Sequence, residues 1–307
     1  MIANFFNNSK PIKIFSITIL LFFMYMVAIF NRQPEVFSIA FIFKNLALFF
    51  LYNLYFIILK FIIEKNKLTK DNTFALFIAV TVLGIFSEVF FSYSILFSNI
   101  LLLLSFRKIY SLRSGINTKL KLFDAAFWIG ISTIIYFWSI LYLLLIFIAI
   151  VIFKKLNFKN LFIPLIGFTT PIFIYFSYSF YVDNLSIFYN SFDYIVNFSF
   201  LTYNSLNFLL PITFLITILL WSITIATPKI ILVSNHLKFS WILLLNHLII
   251  TVLIIIMSPI KNGTEFFYLI FPLAILVTNF LQKTKSKTFK NLILYLFLML
   301  AVIVNFL

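Results

Sequence analysis

EVFFSYSILFSNILLLLSFRKIYSLRSGINTKLK (88–121) carries three signals in succession: a polar patch, an apolar run and a basic loop. The apolar length that contains it, 73–106, is too long for one membrane crossing, which takes ~20 residues. Glu88 to Ser94 is its most polar part, so the chain is expected to turn there, with one span over 73–90 and a return over 93–106. The return ends on Arg107, Lys108, Arg113, Lys119 and Lys121. The same alternation recurs along the chain. Basic clusters occupy every second connector: Lys10 and Lys13, Lys60 to Lys70, Arg107 to Lys121, Lys154 to Lys159, Lys229 and Lys238, and Lys283 to Lys290. They hold twenty of the 23 Lys and Arg residues, and the positive-inside rule makes their side cytoplasmic.

A mean hydropathy of +1.14 with 10% charged residues excludes an ordinary soluble domain. The net charge of +15 is accounted for by loops that set topology and touch anionic lipid, so nucleic acid is not an expected partner. With no Cys there is no disulfide, thiolate metal site or thiol nucleophile. The two His residues, His236 and His247, are too few for a His-based metal centre. Walker A, GxGxxG, GxSxG and HExxH patterns are all missing, which argues against soluble-nucleotide chemistry.

The expected architecture is all-α: one integral membrane domain over 1–307, a polytopic bundle of about eleven spans within a range of about nine to twelve. Residues 13–30 lack a following small-residue cleavage site and read as a retained first span with a cytoplasmic N-terminus. Residues 36–63 read as one long tilted span, or as an interfacial helix and a span joined at Lys44. Residues 123–153 are too many for one helix and too few for two full spans. They read as a hairpin of short helices breaking near Tyr136 to Ser139, tolerated at membrane depth only against protein or a watery cavity. Pro164 and Pro171 are expected to bend the next span. The outer connector 181–205 has no Lys or Arg and reads as amphipathic segments at the interface, where Tyr is favoured.

Eight acids are available for chemistry. Glu64 and Asp71 fall in a Lys-rich loop as solvated charges. Asp124 and Glu265 each open a helix and read as caps. Asp183 and Asp193 belong to the wet outer connector. Glu88, at a span end, either reaches the interface or carries a function, because a carboxylate at membrane depth is costly. Glu35 follows the first span beside Arg32, as a surface ion pair or as a general base at the membrane face. Arg32, Lys44 and Lys261 are the cations placed to meet an anion near the outer leaflet, a lipid phosphate first of all, with snorkelling as the alternative. His247, inside a span, is expected to hydrogen-bond to a neighbouring helix.

Three stretches together resemble the GT-C superfamily of polytopic glycosyltransferases. EVFFSYSILFSNILLLLSFRKIYSL (88–112) resembles its span-and-basic-loop unit. FWIGISTIIYFWSILYLLLIFIAIVIFKKLNFKNLFIPLIGFTTPIFIYF (127–176) resembles the short hairpin, basic loop and Pro-containing span that follow. SPIKNGTEFFYLIFPLAILVTNFL (258–281) resembles the late outer loop and its Pro-broken span. The chain also resembles flavobacterial integral membrane proteins.

The GT-C resemblance implies a transferase with its site at the outer face of a bacterial inner membrane and a polyprenyl-phosphate-linked sugar as donor. It also implies an acid in the first outer loop, commonly in an Asp–Glu setting. The matching position is Glu35 in NRQPEVF, where no Asp stands beside it and the loop is short. The expectation is therefore Glu35 and Glu88 as catalytic acids, with Arg32, Lys44 and Lys261 on the phosphate. No resident cofactor is called for, and a divalent metal stays open. The expected partners are membrane lipid, the polyprenyl-phosphate carrier and possible membrane subunits. Two other readings stay open: a non-catalytic subunit of a secretion, motility or envelope-assembly complex, and a lipid or small-solute transporter, which would want discontinuous helices in both halves.

Overall fold

The computed structural model describes residues 2–32, 38–192, 194–233 and 237–306. Among them every regular element is helical. Seven helices are long and apolar enough to cross a membrane, and Phe74–Ile85 and Phe137–Ile152 are shorter apolar helices. The chain divides into two compact units, Met1–Ser92 with Ser199–Leu237 and Lys261–Leu307, and Tyr93–Phe198 with Lys238–Ile260.

The first unit contains α1 (Ile2–Phe5), α2 (Pro11–Asn31), α3 (Ile39–Lys65) and α4 (Phe74–Ile85). Its later segments add α10 (Leu206–Val233), α12 (Ile270–Lys283) and α13 (Lys287–Ile303). Helix α4, FALFIAVTVLGI, is apolar all round, and such a helix belongs inside. All twelve of its residues are buried. It packs against α2, α12 and α13, while α10 covers α12. Gly84 lets α2 approach: a Cβ there would stand 2.8 Å from the Met24 sulfur.

Charge is segregated along this unit. Lys10 and Lys13 lie at the start of α2, Lys60 to Lys70 at the end of α3, Lys283 at the end of α12 and Lys287 and Lys290 at the start of α13. Hydrogen bonds tie these ends together. The Asn279 side chain donates to Leu68 O at 2.9 Å, Lys70 N–H donates to Gln282 Oε1 at 3.2 Å, and Ala3 N–H donates to Asn291 Oδ1 at 2.8 Å.

Helix α3 runs unbroken through Lys44, so the two-piece alternative does not hold. Nothing in FIFKNLALFF interrupts a helix, and Ser38 caps its start by accepting the Phe41 N–H at 3.1 Å. The expected turn after 73–90 falls at Phe86–Ser92, where the backbone leaves α4 and forms a 3-10 turn at Ser87–Phe91.

The second unit contains α5 (Tyr93–Ser111), α6 (Thr118–Ile135), α7 (Tyr142–Ile152), α8 (Phe158–Tyr181), α9 (Leu185–Ser191) and α11 (Lys238–Met257). Helix α6 packs between α5 and α8, and α11 packs on α7. The hairpin breaks at Tyr136, which is extended (φ −143, ψ 105), and a 3-10 turn spans Phe137–Leu141. Its first arm starts earlier than expected, at Thr118. Pro164 and Pro171 stand within a continuous α8. Its buried residues, Asn160, Pro164, Gly167, Pro171 and Ser179, form one narrow stripe. Gly167 faces α6 so closely that a Cβ would lie 2.6 Å from Phe123 O.

Candidate functional site

At the end of the first unit away from its lysine clusters, α4 stops and the chain turns through Ser87–Phe91. The turn is held from α3, whose Tyr52 hydroxyl donates to Val89 O at 2.7 Å. Phe90 packs edge-on against Tyr25 and Tyr52, with centroids 5.2 and 5.1 Å apart. The Arg32 guanidinium, just past α2, lies 4.3 Å from the Phe91 ring centroid, within the range of a cation–π contact. Glu88 is exposed on the same turn. Asn305, after α13, closes this end by donating to Gly84 O at 2.8 Å and accepting from Asn31 at 2.7 Å.

A second 3-10 turn, Thr264–Leu269, meets the first: Phe266 stacks on Phe86 with centroids 4.3 Å apart and planes 6° from parallel. Gly263 enters this turn at φ 94, a conformation open to Gly, and a Cβ there would stand 2.8 Å from Phe208. Glu265 is fully buried. Its Oε1 accepts the Tyr203 hydroxyl in a short hydrogen bond and the Gly263 N–H at 3.3 Å. Its Oε2 has no hydrogen-bond partner among the described residues. Lys261 is 5% exposed, with its ammonium 5.1 Å from the Phe200 ring centroid. Burial pulls the Lys261 pKa below its ordinary value, and the Glu265 charge opposes that shift.

Beside this end, α2 and α3 leave a groove of 160 Å³ between them, lined by Phe22, Met26, Phe30, Ile42, Leu46 and Phe49 among others. Its polar atoms are already matched, because the Tyr25 hydroxyl donates to Asn45 Oδ1 at 2.8 Å.

The residues expected to carry chemistry are distributed as follows. Arg32, Glu88 and Lys261 come to one end of one unit, Glu88 on the Ser87–Phe91 turn and Arg32 against that turn's Phe91. Lys44 is exposed on α3, in the second turn after Ser38, and does not line the groove. Glu35, Asp193 and His236 lie outside the described residues. Lys261 is enclosed beside Glu265, whereas its sequence position suggests a solvent-facing cation. Glu265 does more than cap a helix, since Tyr203 reaches it from 62 residues away in sequence. The signal for that pair is weak: an acid directly after KNGT and before a Pro-containing apolar run.

Two more readings change in the second unit. Asp124 lies inside α6 and pairs with Lys108 of α5 at 2.5 Å, beside a cavity of 390 Å³, so it is not a cap. His247 is buried in α11 and meets the Tyr110 hydroxyl of α5 at 3.2 Å through Nδ1, the neighbouring-helix bond expected of it. The break of the hairpin is lined by hydroxyls, with Ser98 Oγ 2.8 Å from Ser132 Oγ and 3.0 Å from Ser139 Oγ.

Fold and site together define an all-helical protein of membrane-spanning type, with polar turns gathered at one end of a buried helix pair. The chain belongs to a family described as "Family of unknown function (DUF6427)", which it matches over residues 7–307. No curated protein and no solved structure matches it.

Proposed function

We propose that this chain is a membrane-embedded transferase of GT-C type that takes a sugar from a polyprenyl-phosphate donor. In this reading α4, α6, α7 and α13 join the seven long apolar helices in a bundle of about eleven spans. The lysine-bearing end of the first unit faces the cytoplasm of a bacterial inner membrane, and the turns at 87–91 and 264–269 face outward. The observation that carries the reading is the gathering of Arg32, Glu88 and Lys261 at one end of a unit whose α2–α3 groove is apolar.

The chemistry balances without a nucleotide. A carboxylate takes the proton of an acceptor hydroxyl, and the oxygen attacks the anomeric carbon. The bond from that carbon to the phosphate oxygen breaks, and the polyprenyl phosphate leaves as an anion. Glu35, in the connector between α2 and α3, is the base in this scheme, and Glu88 is the second acid. Arg32 and Lys44 receive the phosphate from the membrane side, and Lys261 contributes positive charge from deeper in the site.

The test is transfer from a synthetic polyprenyl-phosphate sugar by the purified chain in nanodiscs. Glu35→Gln should lower the rate about 10²–10⁴-fold. Unchanged transfer in that variant would remove Glu35 from the mechanism.

The second reading is a non-catalytic membrane subunit. It is favoured by α8 and α10, whose membrane-spanning windows are only 17% and 22% buried and present broad apolar faces. Wild-type protein that transfers no sugar from any donor of this class, and that co-purifies with a stoichiometric membrane partner, would favour it.

A further inference from the structure

The opposite end of the first unit holds a larger cavity. Its volume is 560 Å³, and Lys60, Lys67, Lys70, Glu64, Asp71 and Asn72 line it over an apolar floor that includes Ile63 and Leu76. The end of α3 builds it. Lys67 adopts φ 52, Lys67 N–H donates to Glu64 O at 3.1 Å and Leu68 N–H donates to Ile63 O at 3.0 Å, the closing pair of a left-handed helix terminus. The chain then folds back across the cavity to α4, pinned where Lys70 meets Gln282.

Both acids in the lining are already engaged. Glu64 pairs with Lys60 at 3.3 Å, and Asp71 accepts a short hydrogen bond from Ser9. Lys67 and Lys70 are exposed, line the cavity, and form no ion pair with a carboxylate among the described residues. The lining carries three ammonium groups and two carboxylates, a net charge of +1, and the two ammonium groups outside the Lys60–Glu64 pair, over an apolar floor, match a phosphate on an apolar carrier. The depth agrees, because the cavity starts where the candidate membrane helix α3 ends. Its 560 Å³ also falls in the usual range of small-ligand sites, about 300–1,000 Å³.

We infer that this cavity binds a phosphate group, held by Lys67 and Lys70, presented by an anionic lipid headgroup or by a free phosphate compound. The site stands about 20 Å from the turns described above, the length of the twelve-residue α4 that joins the two ends, and does not depend on the transferase reading.

The experiment is retention of phosphatidic acid against phosphatidylcholine by the full chain in nanodiscs, read by native mass spectrometry. Lys67→Gln with Lys70→Gln should weaken phosphatidic acid retention about thirtyfold, and Lys67→Arg with Lys70→Arg should restore most of it. Both pairs leave the backbone at Lys67 under the same constraint, so folding is not the variable. Lys285→Gln with Lys287→Gln removes equal charge elsewhere and should change retention little. Competition by inorganic phosphate would assign the site to a free phosphate compound, and persistence of lipid binding in its presence to a headgroup. Equal losses in the two Gln pairs, or no preference for phosphatidic acid in the wild type, would overturn the inference.

Discussion

In helices Thr264–Lys283 and Phe158–Tyr181 the most apolar 18-residue stretches have mean hydropathies of 1.7 and 1.6, yet 100% of the first stretch and 17% of the second is buried. Lipid chains and apolar side chains are equivalent surroundings for Leu or Phe, so hydropathy does not sort an inner helix from an outer one. What sorts them is packing. Helix α12 with its entering turn is enclosed on every side. Helix α8 touches its unit along Asn160, Pro164, Gly167, Pro171 and Ser179, and turns Phe158, Phe173 and Phe180 outward. One helix is therefore a scaffold for a buried carboxylate, and the other is a face available to lipid or a partner.

The largest expected effect tests the buried helix. Phe271→Ala in α12 should cost about 3–4 kcal/mol in reversible unfolding from mixed micelles, because the cavity and lost contacts remain even where transfer to lipid is neutral. A cost below about 1 kcal/mol would mean that α12 is not packed as described. Next is the carboxylate that α12 helps to enclose. Glu265→Ala strands the Tyr203 hydroxyl and the Gly263 N–H and should cost about 2–3 kcal/mol, and Glu265→Gln, which keeps an acceptor, should cost less than half of that. Equal costs for the two would show that hydrogen bonding to Glu265 contributes little.

The stripe on α8 should give a smaller loss. Gly167→Val drives a side chain against Phe123 O and should cost about 1–3 kcal/mol, measured in the same micelles. Phe173→Ala, on the outward face and 69% exposed, should stay within about 0.5 kcal/mol of wild type. The absence of Cys allows a direct check of the contrast. A lipid-soluble maleimide should label Phe173→Cys in the folded protein, and should label Leu276→Cys only after denaturation. Labelling of both would collapse the distinction between the helices.

Several features are legible in the amino-acid sequence alone. The turn at Phe86–Ser92 is marked by Glu88 and its Ser neighbours, and the hairpin break by a span too long for one helix and too short for two. The gathering of lysines at one end of the first unit follows from their alternation between connectors. Lys44 misleads because a charge within an apolar run resembles a junction, although a long aliphatic stem lets it sit on a continuous helix. Asp124 misleads for a related reason: its helix begins a turn earlier, at Thr118, so it sits in the interior and finds Lys108. Glu265 is the harder case. Its partner Tyr203 lies in a connector that reads as a wet interfacial segment, and nothing local links the two.

By itself the sequence determined that this is a helical, membrane-type protein, because the length of its apolar runs answers directly to bilayer thickness, and it marked the lysines that gather at one end of the first unit. Only the tertiary structure decided which apolar helices lie inside, which acid is enclosed, and which lysines share a cavity. Those outcomes depend on shape: where Gly167 admits a backbone, where Gly263 turns left-handed, and where Tyr203 reaches a carboxylate across 62 residues.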